Sequence, residues 1–239
     1  MITKKALDTM ISSDIGWIQS THHYSNEDNA NSKIKNFGVL KVLNDDIIHP
    51  RSGFHNHPQY DMEIISYVVD GELTHGDSMG NEVTLKKGDL QYISAGSGIT
   101  YEEHNFGNNS LRFIQIWVIP STKLGNPTYE RKSFQIDDRK NQWLYMVSSK
   151  NGLAPIKINQ DVNIYTAYAE KENNLEFRIY TDRQGYLVQV KGKSLVTSAK
   201  DENHNILLEE KDALEIYEDE IILNPHEDSQ FLLIEMAKE

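Results

Sequence analysis

A chain of 239 residues with 38% hydrophobic and 25% charged side chains can bury one large core or two small ones, and no window of 18 apolar residues offers a transmembrane helix. Cysteine is absent, which excludes disulfides, thiolate metal sites and cysteine nucleophiles. The formal net charge of −12, with no Lys/Arg run longer than a pair, repels phosphate backbones and anionic membranes, so neither nucleic acid nor membrane is expected as a direct partner.

The opening stretch, MITKKALDTMISSDIGWIQS, has two lysines but no apolar segment and no small-residue cleavage site, which favours a cytoplasmic location. The polar segment EDNANSKIKN (27–36) reads as a loop. From there on, short runs rich in Val, Ile, Tyr and Phe dominate: FGVLKVL, EIISYVV, LQYIS, LRFIQIWVI, YLVQVKG and QFLLIEM. Gly, Asp and Asn break them, as in DSMGNE (77–82), where Gly80 and Asn81 mark a hairpin turn. Strands of this length between turn signals predict an all-β chain built as a sandwich or barrel.

The pattern occurs twice. YVVDGEL around Gly71 precedes LKKGDLQYI around Asp89, and YLVQVKGKSL around Gly192 precedes LEEKDALEI around Asp212. The Gly-to-Asp spacing is 18 residues in the first copy and 20 in the second, which predicts two β-domains of related design. VIPSTKLGNPTYERKSF holds two of the six prolines and separates the copies. The predicted domains are 1–130 and 131–239.

The histidines cluster in the first half. His55 and His57 are two apart, and in a regular strand such residues share a face. Two imidazoles aimed into one space are a start for a zinc or iron site, although two histidines near a strand end are more often simply solvated. In AGSGITYEEHN (95–105), Tyr101 and Glu103 share one strand face, and Glu102 and His104 the other. Glu103 is therefore the carboxylate placed to join His57. His75 and Asp77 are expected chiefly to order a loop, and Trp17, Trp117 and Trp143 to pack. There is no P-loop and no HExxH.

From Gly53 to Ile99 the phrases H-P-x-x-x-x-E, Y-V-x-x-G, H-x-D-S-x-G-N, G-D-x-Q and A-G-x-G-I follow one another. This ordered series resembles the pirin family of the cupin superfamily. GWIQSTHHYS upstream and IQIWVIP and YERKSF downstream fit the family too, and the C-terminal half fits more loosely. The resemblance implies a bicupin: two antiparallel, jelly-roll-type β-barrels packed together, the first holding one metal, usually iron. Carried over by position, the family's ligands fall on His57, Gln59, Tyr101 and Glu103. Two imidazoles are thus replaced, one by an amide and one by a phenol.

Three outcomes are open for such a set. It binds no metal, or binds one weakly, iron(III) being the ion that best accepts a phenolate. It shifts to His55, His57 and Glu103. Or it forms a hydrogen-bonded pocket in which Tyr101 and Gln59 donate to Glu103, with His55 and His104 nearby. Mapped through the repeat at constant offset, the second copy offers Arg178, Tyr180, Asn224 and His226, which make no metal site. Two functions follow from the resemblance. One is a binding or regulatory protein that takes a small molecule or a protein partner. The other is a metal-dependent flavonol (quercetin-type) 2,3-dioxygenase with Glu103 as base.

Overall fold

The computed structural model describes residues 1–25, 36–123 and 125–238, with only the backbone of 202–204. The loop expected over 27–36 lies outside the described residues except for Asn36. The described chain is almost entirely antiparallel β-strand; its helical pieces are two 3₁₀ turns, Leu7–Thr9 and Asp137–Arg139. Among the described residues no helix is long and apolar enough to cross a membrane.

Contacts divide the chain into two units. The first comprises Ile11–Phe134 with Ile158–Gln160, and the second Met1–Met10, Gln135–Lys157 and Asp161–Glu239. A cut at 130/131 therefore differs in three places. Thr128–Ser133 is an edge strand paired along Asp89–Ser94, so the first unit runs to Phe134. Ile2–Lys5 pairs with Ala213–Tyr217 and belongs to the second unit. Asn159 and Gln160 belong to the first unit because their backbone N–H groups donate to the carboxylate of buried Glu63, at 2.5 and 2.9 Å.

In the first unit a seven-stranded sheet runs in the order Thr128–Ser133, Asp89–Ser94, Glu63–Asp70, Leu111–Val118, Leu40–Ile48, Ile18–Tyr24, Ile11–Asp14. It is accompanied by a four-stranded sheet, Ser52–Gln59, Ile99–Asn105, Glu72–Asp77, Glu82–Lys86. The second unit repeats both orders. Its seven strands are Ile2–Lys5, Ala213–Tyr217, Arg183–Lys191, Ser229–Ala237, Val162–Ala169, Leu144–Ser149 and Ile156–Ile158, and its four are Leu175–Arg178, Glu220–Pro225, Ser194–Ser198 and Asp201–Leu208. The sheets do not close into cylinders; each unit is a two-sheet jelly roll.

The duplication extends to single residues. Gly71 and Gly192 each turn the chain at φ +83°, and a Cβ on Gly71 would fall 2.7 Å from the Ser110 carbonyl oxygen, so glycine is required there. Two residues before each glycine the ladder slips, passing over Val69 in one unit and Val190 in the other. Asp89 accepts the backbone N–H of Lys86 at 2.9 Å, and Asp212 that of Glu209 at 3.0 Å. The aspartates picked out by the repeat thus tie equivalent turns.

Glu63, the last residue of H-P-x-x-x-x-E, is explained by the first unit's architecture. Fully buried, it accepts the Tyr92 hydroxyl at 2.8 Å as well as the two backbone N–H groups. The Asn159 side-chain amide donates to it too, at 3.1 Å, and Glu63→Gln keeps one acceptor oxygen and loses the charge that strengthens all four bonds. It is expected to cost about 2 kcal/mol, read from denaturant unfolding.

Candidate functional site

Ile99–Asn105 runs between Ser52–Gln59 and Glu72–Asp77, and its odd-numbered residues face the interior. Glu103 is fully buried there. Its carboxylate is held by a row of three donors from three adjacent strands of the facing sheet. Oε1 accepts from Ser66 Oγ and Gln91 Nε2, both at 2.8 Å, and Oε2 accepts from Gln115 Nε2 at 2.7 Å. Ser66 lies directly opposite both Gln91 and Gln115 in the ladder, so strand register alone builds the row.

Both amides are held from behind. The Trp117 indole N–H donates to Gln115 Oε1 at 3.2 Å, and the Tyr129 hydroxyl to Gln91 Oε1 at 3.2 Å. An indole N–H can only donate, so Gln115 must turn its amide nitrogen toward Glu103. Burial pushes the Glu103 carboxyl up to about 7; the Ser66, Gln115 and Gln91 hydrogen bonds oppose this, and the negative charge of Asp46 adds to it. The carboxyl is thus poised near neutrality in a cage of neutral donors.

Tyr101 lies beside this cage, also fully buried. Its ring sits 4.3 Å from the His57 ring and 6.1 Å from that of His75, and its hydroxyl has no hydrogen-bond partner. Burial, and then the Glu103 charge, push the phenol well above its ordinary range. Tyr101→Phe removes this unsatisfied hydroxyl and is expected to raise stability by about 1 kcal/mol in thermal or denaturant unfolding.

His75 reaches the interior rather than only ordering a loop. It is fully buried, stacks on Tyr129 at 4.8 Å, and pairs through Nε2 with Asp77 Oδ2 at 3.0 Å. Burial draws its pKa down against the opposing pull of Asp77, so the ring is neutral, Nε2–H donates, and Nδ1 keeps a bare lone pair with no partner. Asp77 does order the hairpin, accepting from Met79 N–H and from the backbone and side chain of Asn81.

The structure separates His55 from His57. Tyr101 lies opposite His57 but Glu103 lies opposite Phe54, so the Ser52–Gln59 strand carries one extra residue. A bulge breaks the two-residue period. Phe54 and His57 turn inward, their rings 6.4 Å apart, and His55 faces outward, exposed, against His104. The shifted set His55, His57 and Glu103 therefore does not assemble, and neither His55 nor His104 lines the interior. The expected donors to Glu103 are also replaced: Gln59 spends its Oε1 on the Tyr60 N–H at 3.0 Å, and Tyr101 donates to nothing.

The four carried-over positions do not fit a metal as they stand. The Glu103 carboxylate already accepts three hydrogen bonds, Gln59 Oε1 accepts the Tyr60 N–H, and burial keeps the Tyr101 phenol in its protonated form. Only His57 has a ligand nitrogen to offer, since its Nδ1–H donates to the His55 carbonyl at 3.0 Å and leaves the Nε2 lone pair free. Among the described residues no group of three His, Asp or Glu side chains is arranged to hold a metal ion.

The second unit shows what the same fold does without polar residues at its centre. Register places Leu187, Leu214 and Leu233 where Ser66, Gln91 and Gln115 stand, and Val196, Ile221 and Leu223 where His75, Tyr101 and Glu103 stand. All six are fully buried in one apolar cluster. Asn224 and His226 are not the counterparts, because the turn after Ala213–Tyr217 is shorter than the one after Asp89–Ser94, and opposite Ile221 the ladder places Phe177, not Arg178, where His57 stands, so that Tyr180 is displaced with it. The row of Ser66, Gln91 and Gln115 was missed in the sequence, yet its signal is visible: each is a lone polar residue in an apolar run, EIISYVV, LQYIS and LRFIQIWVI. GDSMG (76–80) also has the GxSxG spacing of a nucleophile elbow. Here it ends a strand in a hairpin turn with no helix after it, and Ser78 Oγ accepts the Thr100 N–H at 3.2 Å.

Comparison with known proteins agrees with this architecture. The family model described as Pirin matches residues 4–118, and that described as Quercetinase C-terminal cupin domain matches 145–236. The chain is 34% identical to a pirin-like protein of Caulobacter vibrioides over 239 residues, covering 99% of this chain and 100% of the relative. It is 31% identical to the quercetin 2,3-dioxygenase of Escherichia coli K12 over 223 residues, 92% of each chain. The structure of the bacterial pirin YhhW from Escherichia coli in complex with nickel(II) superposes with a TM-score of 0.87, at 29% identity and over 100% of both chains.

Proposed function

This chain belongs to the pirin family of two-cupin proteins, and from that premise we propose that it is a binding protein of regulatory type, working through a protein partner and without a metal in its N-terminal jelly roll. The observation that carries the reading is the state of the ligand positions. A metal centre needs free lone pairs converging on a point, and here a locally bonded amide, a protonated phenol and a carboxylate already accepting three hydrogen bonds stand around one imidazole. Tyr101, His75 and Glu103 expose no surface, so as folded they offer a small molecule nothing to touch, which favours a partner on the outside over a ligand at this centre. The net charge of −12 suits a partner with a basic face.

The second reading is flavonol dioxygenation, favoured by likeness to the Escherichia coli enzyme and by a carboxyl of pKa about 7 at the position of the family's base. An oxygen electrode with quercetin and added Fe(II), Ni(II), Mn(II) or Cu(II) separates the two. The expected result is oxygen uptake no faster than protein-free controls. Uptake abolished by Glu103→Ala, with the variant still folded, would establish the enzyme and overturn the binding reading. The positive arm is a purified partner that binds with defined stoichiometry and weakens as salt is raised.

A further inference from the structure

The bulge that turns Phe54 and His57 inward leaves His55 on the outer face of the four-stranded sheet, and there it meets a second imidazole. The His55 and His104 rings lie edge to face, centroids 5.3 Å apart, on neighbouring strands. His104 stands opposite Gly53 and lies flat across it: a Cβ on Gly53 would fall 2.5 Å from His104 Nδ1. That nitrogen is therefore on the side of the strand that carries His55. The other nitrogen, Nε2, is 3.7 Å from Glu102 Oε2. Glu102 in turn lies across Gly76, where an added Cβ would come within 3.2 Å of its Oε1. Phe106 stacks on the His104 ring at 5.1 Å and holds it flat. Two glycines on the flanking strands thus leave room for an imidazole and a carboxylate that would otherwise be pushed out toward solvent.

We propose that His104 Nδ1 and His55 bind one divalent transition ion, Zn²⁺ or Cu²⁺, on this outer face, with water completing the coordination. Imidazole nitrogen is the preferred neutral ligand for both ions. Glu102 is the carboxylate behind the ligand: its charge, 3.7 Å from His104 Nε2, favours the tautomer that carries the proton on Nε2 and frees Nδ1, and it raises the basicity of the ring. The site takes two protein ligands, consistent with the absence of a three-residue metal group among the described residues. It is separate from the interior positions His57, Gln59, Tyr101 and Glu103, which face the opposite side of the same sheet. An ion here ties Ser52–Gln59 to Ile99–Asn105 and so also stabilises the fold.

Calorimetric titration of the untagged, full-length protein with Zn²⁺ at neutral pH tests this, with a thermal shift as a second readout. One equivalent is expected to bind and to raise the melting temperature. His55→Ala and His104→Ala should each weaken binding by at least ~10-fold, and Glu102→Gln by ~10-fold, while His57→Ala and Tyr101→Phe leave it unchanged. His55 is exposed, so its removal does not threaten folding, and His55→Asn is the conservative check. The proposal is overturned by the absence of one-equivalent binding. It is equally overturned by binding that survives both histidine substitutions, or that His57→Ala abolishes.

Discussion

Gln59→His with Tyr101→His is expected to turn the N-terminal jelly roll into a metal centre, binding one equivalent of Ni(II) or Fe(II) at least ~100-fold more tightly than the parent interior. That factor is a floor, because losing even an outer-sphere partner of a metal ligand costs ~10–100-fold in affinity, and here two inner ligands are supplied. The scaffold is ready for them. His57 already presents a free Nε2, its tautomer set by the His55 carbonyl. The Tyr101→His change replaces a phenol that burial keeps protonated with a neutral donor. Gln59→His frees the position from its bond to the Tyr60 N–H. The titration belongs in a His55→Ala background, which silences the outer face. A parent protein that binds as tightly as the double variant, through His57, would refute the claim that these two substitutions closed the site.

The architecture was largely legible in the sequence, and the centre only in part. Alternating and continuous apolar runs marked the strands. Gly71, Gly192, Asp89 and Asp212 marked the duplication because each has a local backbone role, either a left-handed turn or a carboxylate tied to an N–H three residues back. Such roles leave a trace in one stretch of chain. The placement of Glu103 and Tyr101 on one face and of His104 on the other followed from the two-residue period alone. That period failed at His55, where one extra residue in the strand reverses the face, and nothing in SGFHNHPQ announces a bulge. The cage around Glu103 was hidden for another reason. Ser66, Gln91 and Gln115 meet only through the register of three strands that are far apart in the chain.

Replacing that cage as a whole is expected to stabilise the protein, and breaking it singly to destabilise it. Glu103→Leu alone removes the acceptor of the buried Ser66 and Gln115 donors, leaves Gln91 only its longer bond to Ser66 Oγ at 3.3 Å, and should cost ~3 kcal/mol. Transplanting the second unit's residues together (Ser66→Leu, His75→Val, Gln91→Leu, Tyr101→Ile, Glu103→Leu, Gln115→Leu) leaves no such orphans. Trp117 and Tyr129 are only half-buried, so their freed donors can turn to water. Replacement of buried ionic groups by apolar ones is often worth ~1–4 kcal/mol. The two variants also differ from the parent in pH dependence. In the parent the Glu103 carboxyl titrates near 7 when folded, against an ordinary value near 4.5 when unfolded. Between these values the unfolded chain has already released its proton and the folded one has not, so stability falls as pH rises. The contribution is fully present below about 4.5 and gone above about 7, a loss of order 3 kcal/mol. Burial lowers the His75 pKa and gives that ring a slope of opposite sign, so the comparison uses the transplant with His75 retained: denaturant unfolding of it and the parent should give curves that diverge between about pH 4.5 and 7, with the transplant gaining. Parallel curves would mean that Glu103 is ionised throughout, held so by its three donors. A parent that remains more stable than the transplant at every pH would mean that the polar row contributes more to folding than the leucines that replace it in the second unit.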